Sequence, residues 1–200
     1  SAIRSLVLAA SVMSGLPAGR CPGFSQKRFW RHVLGTAVAA QALASPLKRP
    51  PEVLFLAGLL HDIGRLAMMV LYPEHFTTVL AAAAAQDCRL EDAERSHFGF
   101  DHSEVSAALA QRWNFPADII DALAWHHRPA LGMPGGLAGI IHYADGIAHA
   151  LDLDQDGESP SQMPSLDQDT VSALGLGWDS LNAVLAETRA RFDSYETLLG

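Results

Sequence analysis

The sequence predicts an all-α fold, a bundle of many helices around a central candidate metal site. Three observations predict it. Ala and Leu dominate a chain of 200 residues that is 49% hydrophobic and 18% charged, while β-branched and aromatic residues are sparse; that balance favours helices over sheets. Helix start and stop residues recur along the chain, and no segment alternates apolar with polar residues as a half-buried strand does. Two hundred residues fit one ordinary domain, or one and a part.

Each element follows in order. Ala2 to Gly15 reads as an apolar core helix, stopped by Gly15 and Pro17, with a loop from Arg20 to Phe24. Ser25 is a cap for a long helix to about Ala44, with Trp30, Val33, Leu34, Ala37, Val38 and Leu43 on its apolar face. Pro46 and Pro50 mark a connection, and Pro51 suits the first turn of a helix reaching about Asp62. Gly64 is expected to break or bend the backbone there, before a second piece from Leu66 to Leu71. Pro73 starts a helix through the alanine run at 81–85, and Leu90 to His97 forms a short one. Asp101 caps a helix to about Trp113, with Glu104 placed as in a capping box. Pro116 begins a helix that ends near His127, where Pro129 stops it. A further helix spans about Leu137 to Leu151, Asp152 to Asp169 reads as an acidic exposed loop, and Ser180 to Leu198 forms a last helix.

The formal net charge is −8, and no dense Lys/Arg stripe exists beyond the short run from Gln26 to His32. Sequence-independent nucleic-acid binding rests on clustered cations, so nucleic acid is not an expected partner. An anionic substrate would need a local cation to overcome the overall repulsion. Cys21 and Cys88 form no zinc-ligand pair, and two isolated thiols suit a reducing compartment, so the cytoplasm is expected. Leu6 to Leu16 is too short to span a bilayer, no other segment reads as a span, and no membrane role is expected.

The chemistry lies in an ordered set: His32, the pair His61-Asp62, His102, the pair His126-His127, and Asp145. His61 and Asp62 interrupt the apolar run from Phe55 to Leu66. Burying an imidazole and a carboxylate among leucines is costly unless something satisfies both. A divalent cation does so, and this ligand mix suits Mn, Fe or Zn better than Ca. The Asp of such a pair can bridge two ions, and paired ions polarise a phosphoryl oxygen. Arg65, one turn further on, is a candidate phosphate contact. Helix neighbours point roughly 100° apart, so His126 and His127 can share a site only near a helix end. His142, three residues before Asp145, is expected to orient a ligand from outside the set. His75, His97 and His149 read as surface or structural, and the tryptophans Trp30, Trp113 and Trp125 as packing beside the site.

These motifs together resemble a known family. Phe29 to His32, Phe55 to Leu66, Phe98 to Val105, Trp113 to Pro116 and His126 to Pro129 are similar to the HDOD domain, the signalling-output branch of the HD superfamily of metal-dependent phosphohydrolases. Glu94 fits that family's acidic position ahead of its Phe-Gly motif. The resemblance implies an HD-like part of an HDOD domain at 1–151, apparently without the family's N-terminal half, followed by the acidic loop at 152–169 and a helical tail at 170–200 packed on the same domain. It also implies one or two ions of Fe, Mn, Ni or Zn, and partners among other bacterial signalling domains or proteins. Compared with the related HD-GYP branch, the chain keeps the metal-type residues but lacks the Gly-Tyr-Pro segment after the double His, which argues against cyclic-dinucleotide hydrolysis. Arg65 stands in place of that branch's Lys, Arg28 where some trinuclear members have Glu, and Ser106 where a Gly is usual. Three functions follow as expectations. The first is a regulatory output domain with a metal site. The second is a phosphodiesterase or phosphatase acting with Asp62 and Arg65 on a nucleotide-like, phosphorylated small molecule. The third is a metal-free interaction module.

Overall fold

A computed structural model describes residues 21–133, 135–153 and 166–199. The expected helix from Ala2 to Gly15 and most of the expected acidic loop lie outside those residues. The described residues are helical with no strand.

The long helix α1 (Gln26–Ala42) starts where Ser25 Oγ accepts the Arg28 amide at 3.1 Å, the first-turn satisfaction expected of a Ser cap. A short turn, α2 (Ala44–Leu47), absorbs Pro46. Helices α3 (Pro51–Leu60) and α5 (Pro73–Gln86) both begin at proline, and between them lies α4 (Ile63–Leu71). Helix α6 (Leu90–Phe98) stops at Gly99, whose φ of 82° is left-handed. In α7 (His102–Arg112) the Asp101 side chain accepts the Glu104 amide at 3.1 Å. Glu104 does not reach back as a full capping box requires; its carboxylate pairs with Arg95 at 2.8 Å. Helix α8 (Ala117–Trp125) leads through a 3₁₀ turn (Pro129–Leu131) into α9 (Leu137–Ala150). The acidic stretch was expected to be loop to Asp169, but α10 (Gln168–Leu174) starts inside it. The Asp167 carboxylate caps it, accepting from the Thr170 amide and hydroxyl. Helix α11 (Trp178–Leu199) closes the chain.

Helix α1 is the axis of the bundle. Ala37, Val38, Ala39 and Ala40 are fully buried, and their small size lets other helices approach the backbone. A Cβ placed on Gly58 would lie 2.7 Å from Ala37 Cα, so α3 crosses α1 in backbone contact. One apolar cluster joins Leu43, Leu54, Leu123, Ile140, Ile141 and Val184; another joins Phe29, Phe55, Met69, Phe76 and Phe192. Both clusters draw on α1, α3, α9 and α11, so the last helix shares the core of the others. The Arg31 guanidinium lies over the Phe192 ring at 5.2 Å and pairs with Glu196.

Two expectations are corrected here. The backbone breaks at His61-Asp62, with Asp62 at φ −104° and ψ 11°, and not at Gly64, which lies within the first turn of α4. Gly64 serves close packing: a Cβ there would lie 2.1 Å from the His102 carbonyl oxygen, and its amide donates to Ser106 Oγ at 2.9 Å. Secondly, Pro51–Leu71 is long and apolar enough to cross a membrane by length and composition. Here it is two helices with a buried carboxylate at the break, and most of its surface is covered by the protein.

Candidate metal centre

The ordered His/Asp set meets in the middle of this bundle. His32 comes from α1, His61 and Asp62 from the break between α3 and α4, and His102 from the first residue of α7. His126 and His127 follow the last turn of α8, and Asp145 comes from α9. All but His127 are buried, with Asp62, His102 and His126 at 0% exposure. The adjacent histidines converge because α8 has ended at Trp125, and their ring centroids lie 4.0 Å apart.

Helix ends orient three of the imidazoles. The last carbonyls of a helix lack intrahelical partners. At the end of α3 the Gly58 carbonyl accepts from His61 Nδ1 at 2.7 Å; at the end of α8 the Leu123 carbonyl accepts from His126 Nδ1 at 2.9 Å. The start of α7 has the opposite need, and Glu94 Oε2 accepts both the His102 amide (2.8 Å) and its Nδ1–H (2.6 Å). The Nδ1–H of each imidazole is thereby held by an outer partner and its Nε2 is turned to the centre, the arrangement by which outer partners prepare histidines as metal ligands.

The two oxygens of Asp62 divide the set. Oδ2 lies 3.4 Å from His32 Nε2 and 3.5 Å from His61 Nε2; Oδ1 lies 3.1 Å from His102 Nε2 and 3.5 Å from His126 Nε2. His32 Nε2 is also 3.1 Å from His61 Nε2 and 3.5 Å from Asp145 Oδ1. His127 Nε2 is 2.8 Å from His102 Nε2. Three overlapping groups result among the described residues: Asp62, His102, His126 and His127 on one side, His32, His61 and Asp62 on the other, and His32, Asp145 and His149 beside it.

The ligand chemistry fits divalent ions. Nε2 of His126 and Oδ1 of Asp145 are buried without a hydrogen bond, and the two buried oxygens of Asp62 are met by imidazole nitrogens and, at Oδ2, by the Arg65 guanidinium. An unsatisfied buried polar atom costs about 1–3 kcal/mol, more if charged. Buried carboxylate oxygens and imidazole nitrogens converging on one region are the pattern that cations would satisfy.

The electrostatics are polarised. Burial pushes His61 down to about 3. Burial likewise holds His127 well below 6.5, helped by His126 and His102. Burial opposes charge on His102 too, but Glu94 and Asp62 overcome it and raise it to about 10. Burial would raise the Asp62 carboxyl; Arg65, His61 and His102 hold it well below the usual range. Asp145 is depressed against its burial by its contacts with His149 and His32. The Arg65 guanidinium pairs with Asp62 Oδ2 at 2.9 Å, and 22% of the Arg65 side chain is exposed.

His142 does not face the cluster. It donates from Nδ1 to the His126 carbonyl at 2.8 Å, and its Nε2 accepts the Asp167 amide at 3.1 Å, so it ties the double His to the start of α10. His149 is the residue that sequence reasoning passed over. It stands four residues after Asp145 on α9, with Nε2 3.4 Å from Asp145 Oδ1. That spacing, which puts two side chains on one helix face, was the available signal. His75 and His97 pair with each other at 3.0 Å on the exposed flank.

Comparison with known proteins gives concordant relatives. A family model described as the HDOD domain matches residues 1–129. Among solved structures, a candidate phosphohydrolase from Shewanella amazonensis SB2B is 28% identical with a TM-score of 0.72, over 96% of this chain and 69% of that one. The MmoQ response regulator of Methylococcus capsulatus str. Bath is 31% identical with a TM-score of 0.66, over 92% and 70% respectively. An HDOD domain protein of unknown function from Geobacter sulfurreducens is 26% identical with a TM-score of 0.70, over 88% and 64%. An uncharacterized protein of Treponema pallidum (strain Nichols) is 28% identical over 104 residues, which is 51% of this chain and 20% of that protein.

Proposed function

The chain belongs to the HDOD domain family, and from that premise we propose that it is a bacterial signal-transduction output domain that binds one or two divalent ions and acts through contacts with other signalling domains or proteins. The observation that carries the metal part is the division of ligands by the two oxygens of Asp62. Similarity to a response regulator supports the signalling part. In this reading His32, His61, Asp62 and Asp145 hold one ion and Asp62, His102, His126 and His127 the other. Fe, Mn, Ni and Zn suit these ligands. Glu94 fixes the His102 tautomer, and His142 sets the His126 backbone. The cytoplasm is the proposed location, since Cys21 and Cys88 are free thiols.

A second reading, a metal-dependent phosphodiesterase or phosphatase, is favoured by one specific observation: Arg65 pairs with Asp62 while part of its side chain stays exposed, which suits a contact to a phosphate oxygen. When bound, ions at this site would supply Lewis acidity toward a phosphoryl oxygen. Similarity to a candidate phosphohydrolase supports this reading. The two are separated by incubating metal-loaded protein with cyclic nucleotides, cyclic dinucleotides, nucleoside phosphates and a chromogenic phosphodiester. The output-domain reading expects no turnover above that of His61→Ala. Turnover that His61→Ala and Asp62→Ala both abolish would replace it with the enzymatic one.

A further inference from the structure

We propose that His149 is a metal ligand, joining His32 and Asp145 on the His32 side of Asp62. The inference rests on reading the cluster as a metal centre. Ligand atoms about 2.0–2.2 Å from one ion lie, by geometry, about 3.0–3.5 Å from each other. The distances here have that spacing: 3.1 Å from His32 to His61, 3.4 Å from His32 to Asp62, 3.5 Å from His61 to Asp62 and 3.5 Å from His32 to Asp145. His149 continues the series, with Nε2 3.4 Å from Asp145 Oδ1. His32, Asp145 and His149 each offer a ligand atom within 4.8 Å of the others, and the His149 ring centroid is 5.0 Å from that of His32. Asp145 Oδ1, between the two imidazoles, is buried without a hydrogen bond. His149 is itself half-buried, with 14% of its side chain exposed.

The consequence is an unequal pair of positions. The His32 side then draws on five side chains, His32, His61, Asp62, Asp145 and His149, and the other side on four, Asp62, His102, His126 and His127. Exchange with an outside oxygen ligand is therefore concentrated on the His127 side, where the His127 side chain keeps 14% exposure.

The bland alternative is that His149 only donates a hydrogen bond to Asp145, and the test separates the two. The full chain, His149→Ala, His149→Gln and His127→Ala are titrated with Mn(II) and Zn(II) by calorimetry. Metal stoichiometry is counted by elemental analysis, and nitrogen ligands by X-ray absorption at the Zn edge. Gln keeps a hydrogen-bond donor but removes the imidazole. The expected result is that Ala and Gln both weaken one class of site at least tenfold, with one fewer nitrogen ligand, while His127→Ala weakens the other class. Wild-type binding by His149→Gln, or an unchanged nitrogen count, overturns the inference and leaves the metal centre standing. A wild-type chain that takes up no metal overturns both.

Discussion

At the residue scale the account turns on Asp62 and on the carbonyls and carboxylate that orient its neighbours. Asp62→Asn keeps the volume but removes the bridging charge, so metal uptake is expected to fall below one ion per chain, measured by elemental analysis after dialysis against metal. Glu94→Gln tests the outer partner. Losing the acceptor for two His102 N–H groups should weaken metal binding about 10–100-fold and destabilise the metal-free protein by about 1–3 kcal/mol, read from a denaturant midpoint. The pH dependence has two arms in the metal-free protein. His102 is raised to about 10, so its contribution is complete below 6.5 and is lost as pH rises toward 10. His61 is lowered to about 3, so its contribution is complete above 6.5 and is lost as pH falls toward 3. Stability should therefore peak near neutrality, with Glu94→Gln flattening the alkaline arm. Denaturant midpoints measured from pH 5 to pH 9 check both signs, and a midpoint that climbs steadily across that range contradicts them. Metal binding must also displace the His102 proton, so calorimetric enthalpies should vary with the ionisation enthalpy of the buffer.

At the element scale, the site depends on where helices stop. His61 and His126 are ligand candidates because α3 and α8 end there and leave a carbonyl three residues back for each imidazole. Gly64 lets α4 lie against the start of α7. Gly64→Ala should cost about 1–3 kcal/mol by overpacking and also weaken metal binding, since the clash is with His102 backbone. Gly175 offers a control: its φ is +60° with nothing within 4 Å of a built Cβ. Gly175→Ala should cost about 1–2 kcal/mol of left-handed strain and leave metal binding unchanged. Much of this level was legible in the sequence. Ser25, Pro51, Pro73, Asp101 and Pro116 each stand at a helix start, because caps and prolines act locally. The break at Asp62 was misplaced onto Gly64, since a glycine demanded by a neighbouring helix looks, in one dimension, like a glycine demanded by a turn. Helix α10 was hidden in a polar stretch whose cap, Asp167, looked like one more loop acid. His149 was passed over because the matching face was sought at three residues from Asp145 and not at four.

At the scale of the whole molecule, the candidate ligands come from helices that are distant in the chain and touch only once the core has formed. The order of the set was legible, because His61-Asp62 interrupts an apolar run and the motifs around the other candidates are distinctive. The division of that set by the two oxygens of Asp62 was not, because it depends on how α1, α3, α7, α8 and α9 cross. Metal binding and folding should be coupled for the same reason. An ion at a hundred times its dissociation constant would add about 2.7 kcal/mol to stability, a shift visible in thermal melts with and without chelator. The net charge is −8, so a phosphorylated ligand would need a local cation, such as an ion held at this centre, to overcome the overall repulsion. The most direct measurement is the metal content of the full chain purified without chelators, paired with its melting temperature before and after metal removal. One or two equivalents of Mn, Fe, Ni or Zn, with a melting temperature that drops on removal and recovers on reloading, is the predicted result. A chain with no metal, and no thermal response to any of the four, would contradict the account.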